Sequence, residues 1–230
     1  MSKVLGSIKN LDEAKTLLDS AIDIIDLKDP SKGALGKLQD SEINLILEFI
    51  NNKKLTSSTI GDLPNDENII IDTVQDISET NVDFIKIGVY EKNYIQTLCK
   101  IRSSKKLIAV FFADKFIPDQ SNLEILKKSG FSGVMIDTCD KMLGNLFDHI
   151  SLLEIEKFLS NTKKINLISG IAGSIKSEHL DRILELNPTY IGFRGALCED
   201  NKLRDSSISK HNVESIVSII KKTTRISANA

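Results

Sequence analysis

The 230-residue chain predicts an α/β fold, a (β/α)8 TIM barrel in one compact domain spanning 1–230. Three observations point there. Short apolar runs alternate with amphipathic stretches along the whole chain. They count as eight strand-then-helix units, near the small end of this barrel's size range. Strict alternation also implies right-handed crossovers and a parallel sheet. A doubly wound open sheet would alternate in the same way. Its Gly-rich turn after the first strand is missing, because Gly6 stands alone there.

The first apolar run is Val4–Ser7, followed by a helix over Leu11–Ala21 with Asn10 or Asp12 as its cap. The second strand covers Asp23–Asp29, and after a Gly-containing loop a helix runs over Asp40–Asn52. Leu55–Asp62 is the third strand and Glu67–Thr80 its helix. Phe84–Val89 leads to a helix over Lys92–Arg102, and Leu107–Asp114 to one over Ser121–Lys128. The sixth strand, Gly133–Thr138, is separated by a loop from its helix, Ser151–Ser160. The last two units pair Ile165–Ala172 with Ser177–Leu186, and Tyr190–Gly195 with Asn212–Lys222. The terminal stretch Ile226–Ala230 is expected to fray.

Composition narrows the function. Thirty Lys+Arg against 32 Asp+Glu leave a net charge of -2, which argues against nucleic acid or a membrane surface as partner. Trp is absent and aromatics reach only 5%, so base-stacking platforms are not expected. The odd, scattered Cys99, Cys139 and Cys198 build no disulfide framework, and His149, His179 and His211 show no metal-ligand spacing. All six read as structural or surface residues. The N-terminus has no apolar leader and no apolar run approaches ~18 residues, so a cytoplasmic protein is expected.

Strand parity places charge inside the barrel. Residues alternate between the barrel interior and the helix layer. In the second strand Asp26 and Lys28 share the face opposite Ile25 and Leu27. In the fourth, Phe84, Lys86 and Gly88 point inward, and in the sixth Asp137 does. Buried charges are costly unless paired. Either these residues form a self-neutralising ion-pair network, or they serve a Schiff-base enzyme. In the second reading a lysine of depressed pKa attacks a carbonyl while another moves protons. Parity does not say which lysine has which role.

The ends of strands seven and eight are the recurrent phosphate position of this fold. Gly173 and Ser174 lead straight into a helix there, and Arg194 and Gly195 follow strand eight. Arg194 reads either as a phosphate contact or as a salt-bridge partner. Thr59, Gly61, Asp62, Asp114 and Lys141 also follow strands and could line the site, although each alone is more often a capping or solvated residue.

Several motifs in order carry a family resemblance over essentially the whole chain. They are Ala21–Pro30 with Gly33–Gly36, Thr59–Pro64, Asp83–Tyr90 and Ala113–Asp114. Met135–Thr138 with Lys141, Leu146–Asp148, Ala172–Lys176, Glu178–His179 and Gly192–Ala196 with Cys198 complete the set. The sequence resembles the (5-formylfuran-3-yl)methyl phosphate synthase family of methanofuran-type biosynthesis. The resemblance implies a TIM-barrel lyase, acting on phosphates, that joins two glyceraldehyde 3-phosphate molecules with loss of phosphate and water. It implies Lys28 as the Schiff-base residue, Lys86 as the proton-transferring lysine, and Asp26, Asp137 and Lys141 as further ionisable site residues. Gly173, Ser174, Arg194 and Gly195 are the expected phosphate contacts. No metal and no organic cofactor is implied. The partner expected is a small phosphorylated triose, and a homo-oligomer is expected because compact barrels often assemble through their helices.

Two departures from the family stand out. Asp140 directly precedes Lys141, and the charged run Glu199–Asp205 replaces a Gly-rich loop and argues against phosphate contacts there. Two other functions fit the same residues: a Schiff-base aldolase giving an open-chain product, and a phosphosugar-binding barrel without turnover.

Overall fold

The computed structural model describes residues 2–201 and 203–228, with side chains through Lys222. The strands, with labels in chain order, are β1 (Lys3–Ile8), β2 (Ile24–Leu27), β3 (Leu55–Thr59), β4 (Phe84–Val89), β5 (Lys106–Phe112), β6 (Gly133–Asp137), β7 (Ile168–Ile171) and β8 (Tyr190–Phe193). The helices are α1 (Leu11–Leu18), α2 (Asp40–Ile50), α3 (Glu67–Ser78), α4 (Tyr94–Leu98), α5 (Gln120–Lys128), α6 (Leu152–Lys164), α7 (Leu180–Glu185) and α8 (Lys210–Ala228). All strands are parallel and ordered β1 to β8, and β8 pairs back onto β1 with Leu5 opposite Gly192. The sheet is therefore a closed (β/α)8 barrel rather than an open one.

Two apolar layers follow from the alternation. Ile25, Leu27, Ile85, Ile87, Val89, Val134 and Ile136 pack outward against the helices. Leu5, Phe84, Ile108, Val110, Phe112, Met135 and Tyr190 fill the barrel interior, joined by Ala34 and Leu35 from the loop after β2. That loop drops two side chains into the C-terminal mouth and thereby walls one side of the interior. Small residues occur where the interior is tight. A Cβ on Gly170 would come within 2.3 Å of the Tyr190 ring.

Local signals explain where elements begin and end. The Asn10 side chain accepts from Glu13 N–H and caps α1, while Asp119 and Ser151 form capping boxes at α5 and α6. Several expected elements are shorter. β3 stops at Thr59 because Gly61 turns the chain at φ +99°. Ile165 closes α6, which runs past Ser160 to Lys164, so β7 starts only at Ile168. α4 keeps only five residues of Lys92–Arg102, and the seventh helix opens as a 3-10 turn over Ser177–His179. α8 continues past Lys222 to Ala228, so the backbone of 226–228 is helical instead of frayed, and 229–230 lie outside the described residues. Among the described residues no helix is long and apolar enough to cross a membrane.

Candidate active site

A cavity of about 610 Å³ opens at the C-terminal mouth of the barrel, within the range of small-molecule sites. Lys28, Lys86, Asp137, Lys141, Gly173, Ser174, Arg194 and Gly195 all line it, and Asp26 lies buried below.

Asp26 is held by a row of residues level with it on neighbouring strands. Ser7 of β1 and Ser57 of β3 stand in register with it and donate their hydroxyls at 2.7 and 2.6 Å. Lys86 Nζ reaches Asp26 Oδ2 at 2.6 Å from β4. Burial pushes this carboxyl up, but Lys86, Lys28 and the Ser57 hydroxyl together hold it below the ordinary range.

Across the barrel Asp137 ends β6 and pairs with Lys141, one helical turn later. Burial opposes its charge as well, yet Lys141, Lys28 and the Thr138 N–H at 2.7 Å bring it to about 2. Lys141 also donates to Thr138 Oγ1 at 2.9 Å. The preceding Asp140 does not divert it. Its carboxylate turns the other way and caps a 3-10 turn at Met142 N–H, 2.8 Å.

Lys28 differs from both of these lysines. It is 4% exposed, and among the described residues its amine has no hydrogen-bond or ion-pair partner. Burial lowers its pKa to about 7; Asp137 opposes the shift, Arg204 and Lys86 deepen it, and Asp26 opposes it more weakly. A large share of Lys28 is thus neutral amine near neutral pH; burial lowers Lys141 as well, but Asp137 opposes that shift across their hydrogen bond, and Lys86 faces Asp26.

The loops after β7 and β8 face this group. Gly173 and Ser174 take left-handed conformations at φ +112° and +52° and line the cavity, a backbone turn of the kind that forms anion-binding concavities. Among the described residues the N–H groups of Gly173, Ser174, Gly195 and Ala196 meet no backbone acceptor. They form a cradle of backbone dipoles suited to an anion.

Arg194 requires a correction to the expected phosphate contacts. All five of its donors are spent on the protein. Nε bonds Arg204 O at 2.8 Å, Nη1 bonds Ser7 O and Glu13 Oε2, and Nη2 bonds Glu13 Oε1 and Ser206 O. Both partners of the Arg194–Glu13 pair are buried. Arg194 is the salt-bridge partner that its position equally allowed, and it braces the loop after β8 against α1.

That loop supplies a residue the sequence did not single out. Arg204 lines the cavity and acts electrostatically on Lys28, Lys141 and Asp137. The run Glu199–Asp205 therefore does reach the site. Its charged composition was the available signal, and Lys202 within it lies outside the described residues. The polar residues following other strands act as loop anchors. Asp62 accepts from Ala34 N–H, Leu35 N–H and the Tyr90 hydroxyl at 2.7, 2.8 and 2.5 Å, while Thr59 donates to Gly36 O at 2.9 Å. Asp114 accepts from Cys139 and Asp140 N–H at 2.7 and 2.9 Å.

The family model described as 4-HFC-P synthase matches residues 4–217. The chain belongs to that family. A relative from Archaeoglobus fulgidus named (5-formylfuran-3-yl)methyl phosphate synthase is 31% identical, covering 95% of this chain and 99% of its own. One of the same name from Methanococcus aeolicus is 29% identical over 94% and 98% of the two chains. The 4-HFC-P synthase family is one of enzymes, so the cavity is read here as an active site. Solved structures confirm the barrel fold alone. Phosphoribosyl anthranilate isomerase from Thermus thermophilus superposes with a TM-score of 0.66 at 12% identity, covering 96% and 98% of the two chains. For 3-hexulose-6-phosphate synthase from Salmonella typhimurium the TM-score is 0.59 at 13% identity, with 96% and 99% covered.

Proposed function

We propose that this protein joins two molecules of glyceraldehyde 3-phosphate into (5-formylfuran-3-yl)methyl phosphate through a Schiff base on Lys28. The observation that carries this reading is the contrast among the three interior lysines. Lys86 and Lys141 are paired with carboxylates, and Lys28 is buried without one. A lysine attacks a carbonyl only as the free amine, which is the form that burial favours.

Lys28 Nζ adds to the aldehyde carbon of one triose, and loss of water gives an iminium. The iminium draws electrons, so the neighbouring C–H becomes acidic and the Lys86–Asp26 pair takes its proton. The resulting enamine expels the phosphate of its own triose. The carbon that carried it, now the nucleophilic end of an enol, bonds to the carbonyl carbon of the second triose once that triose has isomerised to its ketone. Ring closure and two dehydrations complete the furan, with Lys141 and Asp137 exchanging protons. Atoms of the two trioses equal those of the product, phosphate and water, so no oxidant is needed. The iminium serves as the electron sink, and the scheme calls for no metal or organic cofactor. Gly173, Ser174 and Gly195 hold the phosphate that is retained, and the product enters methanofuran-type biosynthesis.

The test is incubation with glyceraldehyde 3-phosphate while following furan-aldehyde absorbance and free phosphate. Both should rise together in the native protein and neither in Lys28→Arg, which keeps the charge but cannot form the iminium. An open-chain sugar phosphate without the chromophore would identify an aldolase instead. Binding with no turnover at all would identify a phosphosugar-binding barrel.

A further inference from the structure

The cavity carries more positive charge than its carboxylates answer. Asp26 and Asp137 are each taken up by one lysine. Arg204 stands apart from both pairs. Among the described residues its guanidinium has no hydrogen-bond or ion-pair partner, although the residue is half-buried. Asp137 and Asp62 favour its charge through the field alone, and a partly desolvated cation without a hydrogen-bonded anion is unfavourable unless a ligand supplies one.

The surrounding loop fixes the backbone of this residue. The backbone carbonyl of Arg204 accepts from Arg194 Nε at 2.8 Å and from Cys198 Sγ at 3.6 Å. Arg194 is itself locked to Glu13. The loop is thus pinned at Arg204 from behind, and its side chain lines the cavity with Lys28, Asp137 and Lys141.

The backbone cradle and Arg204 are different kinds of anion partner. Gly173, Ser174 and Gly195 offer fixed dipoles with no net charge, which suffices to hold a phosphate ester through the reaction. A phosphate that departs gains a negative charge, and stabilising it takes a cation and a proton. The planar guanidinium fork matches phosphate oxygens in pairs, and Lys141, hydrogen-bonded to Asp137 and Thr138, stands on the same cavity wall.

We propose that Arg204 and Lys141 form a second anion position in the cavity, separate from the backbone cradle, which receives the phosphate expelled from one triose. The inference rests on the Schiff-base reading given above. In the expulsion step the enamine nitrogen lone pair re-forms the iminium, and the enamine π pair becomes a double bond to the next carbon. The C–O bond to phosphate breaks, and its electron pair leaves on the phosphate oxygen. Lys141 gives that oxygen a proton, so hydrogen phosphate departs; the proton taken from the carbon stays on the Lys86–Asp26 pair, and Lys141 regains one from solvent. No net oxidation or reduction occurs.

Calorimetric titration of the resting full-length protein with inorganic phosphate tests the site, using Arg204→Gln and Arg204→Lys beside the native chain. Losing a charge-assisted fork should weaken phosphate binding about tenfold or more in Arg204→Gln, with Arg204→Lys in between. Phosphate inhibition of furan formation should weaken in parallel. The acid limb of kcat/KM should also move to higher pH in Arg204→Gln, because a cation that depresses Lys28 is gone. Equal phosphate affinity in all three proteins overturns the proposal. If Arg204→Gln fails to fold, native-like phosphate affinity in Arg204→Lys, whose ammonium lacks the fork, overturns it as well. If the native protein binds phosphate through Arg204 but makes no furan, the Schiff-base reading fails and the anion site stands.

Discussion

The loops after β2 and β6 lie on opposite sides of the barrel and share one backbone pattern. Asp26 stands one residue before the end of β2 and Asp137 at the end of β6, Asp29 and Asp140 cap 3-10 turns, and Gly33 and Gly144 close them. The caps share φ and ψ of -90° and 102° against -91° and 107°, and the glycines take φ +106° and +119°. Leu35 and Leu146 then dive into the protein, both buried. Beyond them Gly61 and Gly173 hold corresponding left-handed turns after β3 and β7.

The halves differ in where the amine stands. In the first half Lys28 projects directly from the strand end, at the position where the second half has Cys139. In the second half Lys141 comes from the 3-10 turn, where the first has Pro30, and it reaches back to its own Asp137. Asp26 instead spends its charge on Lys86 of β4. One scaffold thus yields an unpaired amine on one side and a paired ammonium on the other. The following turns diverge similarly. Asp62 occupies the place of Ser174 and clamps Ala34 and Leu35, so the first half has a loop anchor where the second has an open cradle.

The contrast breaks most completely at Lys28. Lys28→Arg should lower kcat by at least roughly 10³-fold. Lys141→Arg, which keeps its pairing charge, should lose distinctly less, as steady-state furan formation would reveal.

Asp26→Asn should be the most damaging change for stability. It leaves Lys86 buried without its carboxylate, a loss of about 3–5 kcal/mol for a broken buried pair. Asp137→Asn should cost less, because Lys141 is more exposed, at 13% of its side chain against 3% for Lys86. Urea unfolding of the two variants measures the difference.

Asp62→Ala strands two N–H groups and the Tyr90 hydroxyl, and about 1–3 kcal/mol should be lost. Asp148→Ala, after β6, should lose less, because it removes only the acceptor of exposed hydrogen bonds from the Asn145 N–H and side-chain amide. Comparing melting temperatures sharpens the two-halves reading.

The smallest effects are those of pH. Activity should fall as pH drops through about 7, where Lys28 becomes protonated. Its folded pKa lies below the unfolded value, so the unfolded chain holds the extra proton above about 7. Stability should therefore rise with pH from about 7 toward the ordinary lysine range, and Lys28→Met should flatten that rise.

Much of this was legible in sequence because it is local. Alternation of two periodicities gives the barrel, and strand parity alone turns Asp26, Lys28, Lys86 and Asp137 inward. What stayed hidden depends on partners far along the chain. Lys28 stands out only once Lys86 is seen on Asp26 and Lys141 on Asp137. Arg194 is diverted by Glu13, 181 residues away, and a motif at a strand end carries no trace of that. Arg204 sits in a loop without periodicity, where composition shows charge but not direction.

The account turns on Lys28 being the one interior amine free to react. Borohydride trapping in the presence of glyceraldehyde 3-phosphate, followed by peptide mapping, reads Lys28, Lys86 and Lys141 in one sample. A reduced triose adduct on Lys28, with Lys86 and Lys141 unmodified, is the predicted result. An adduct on Lys86 or Lys141 with Lys28 untouched would contradict it.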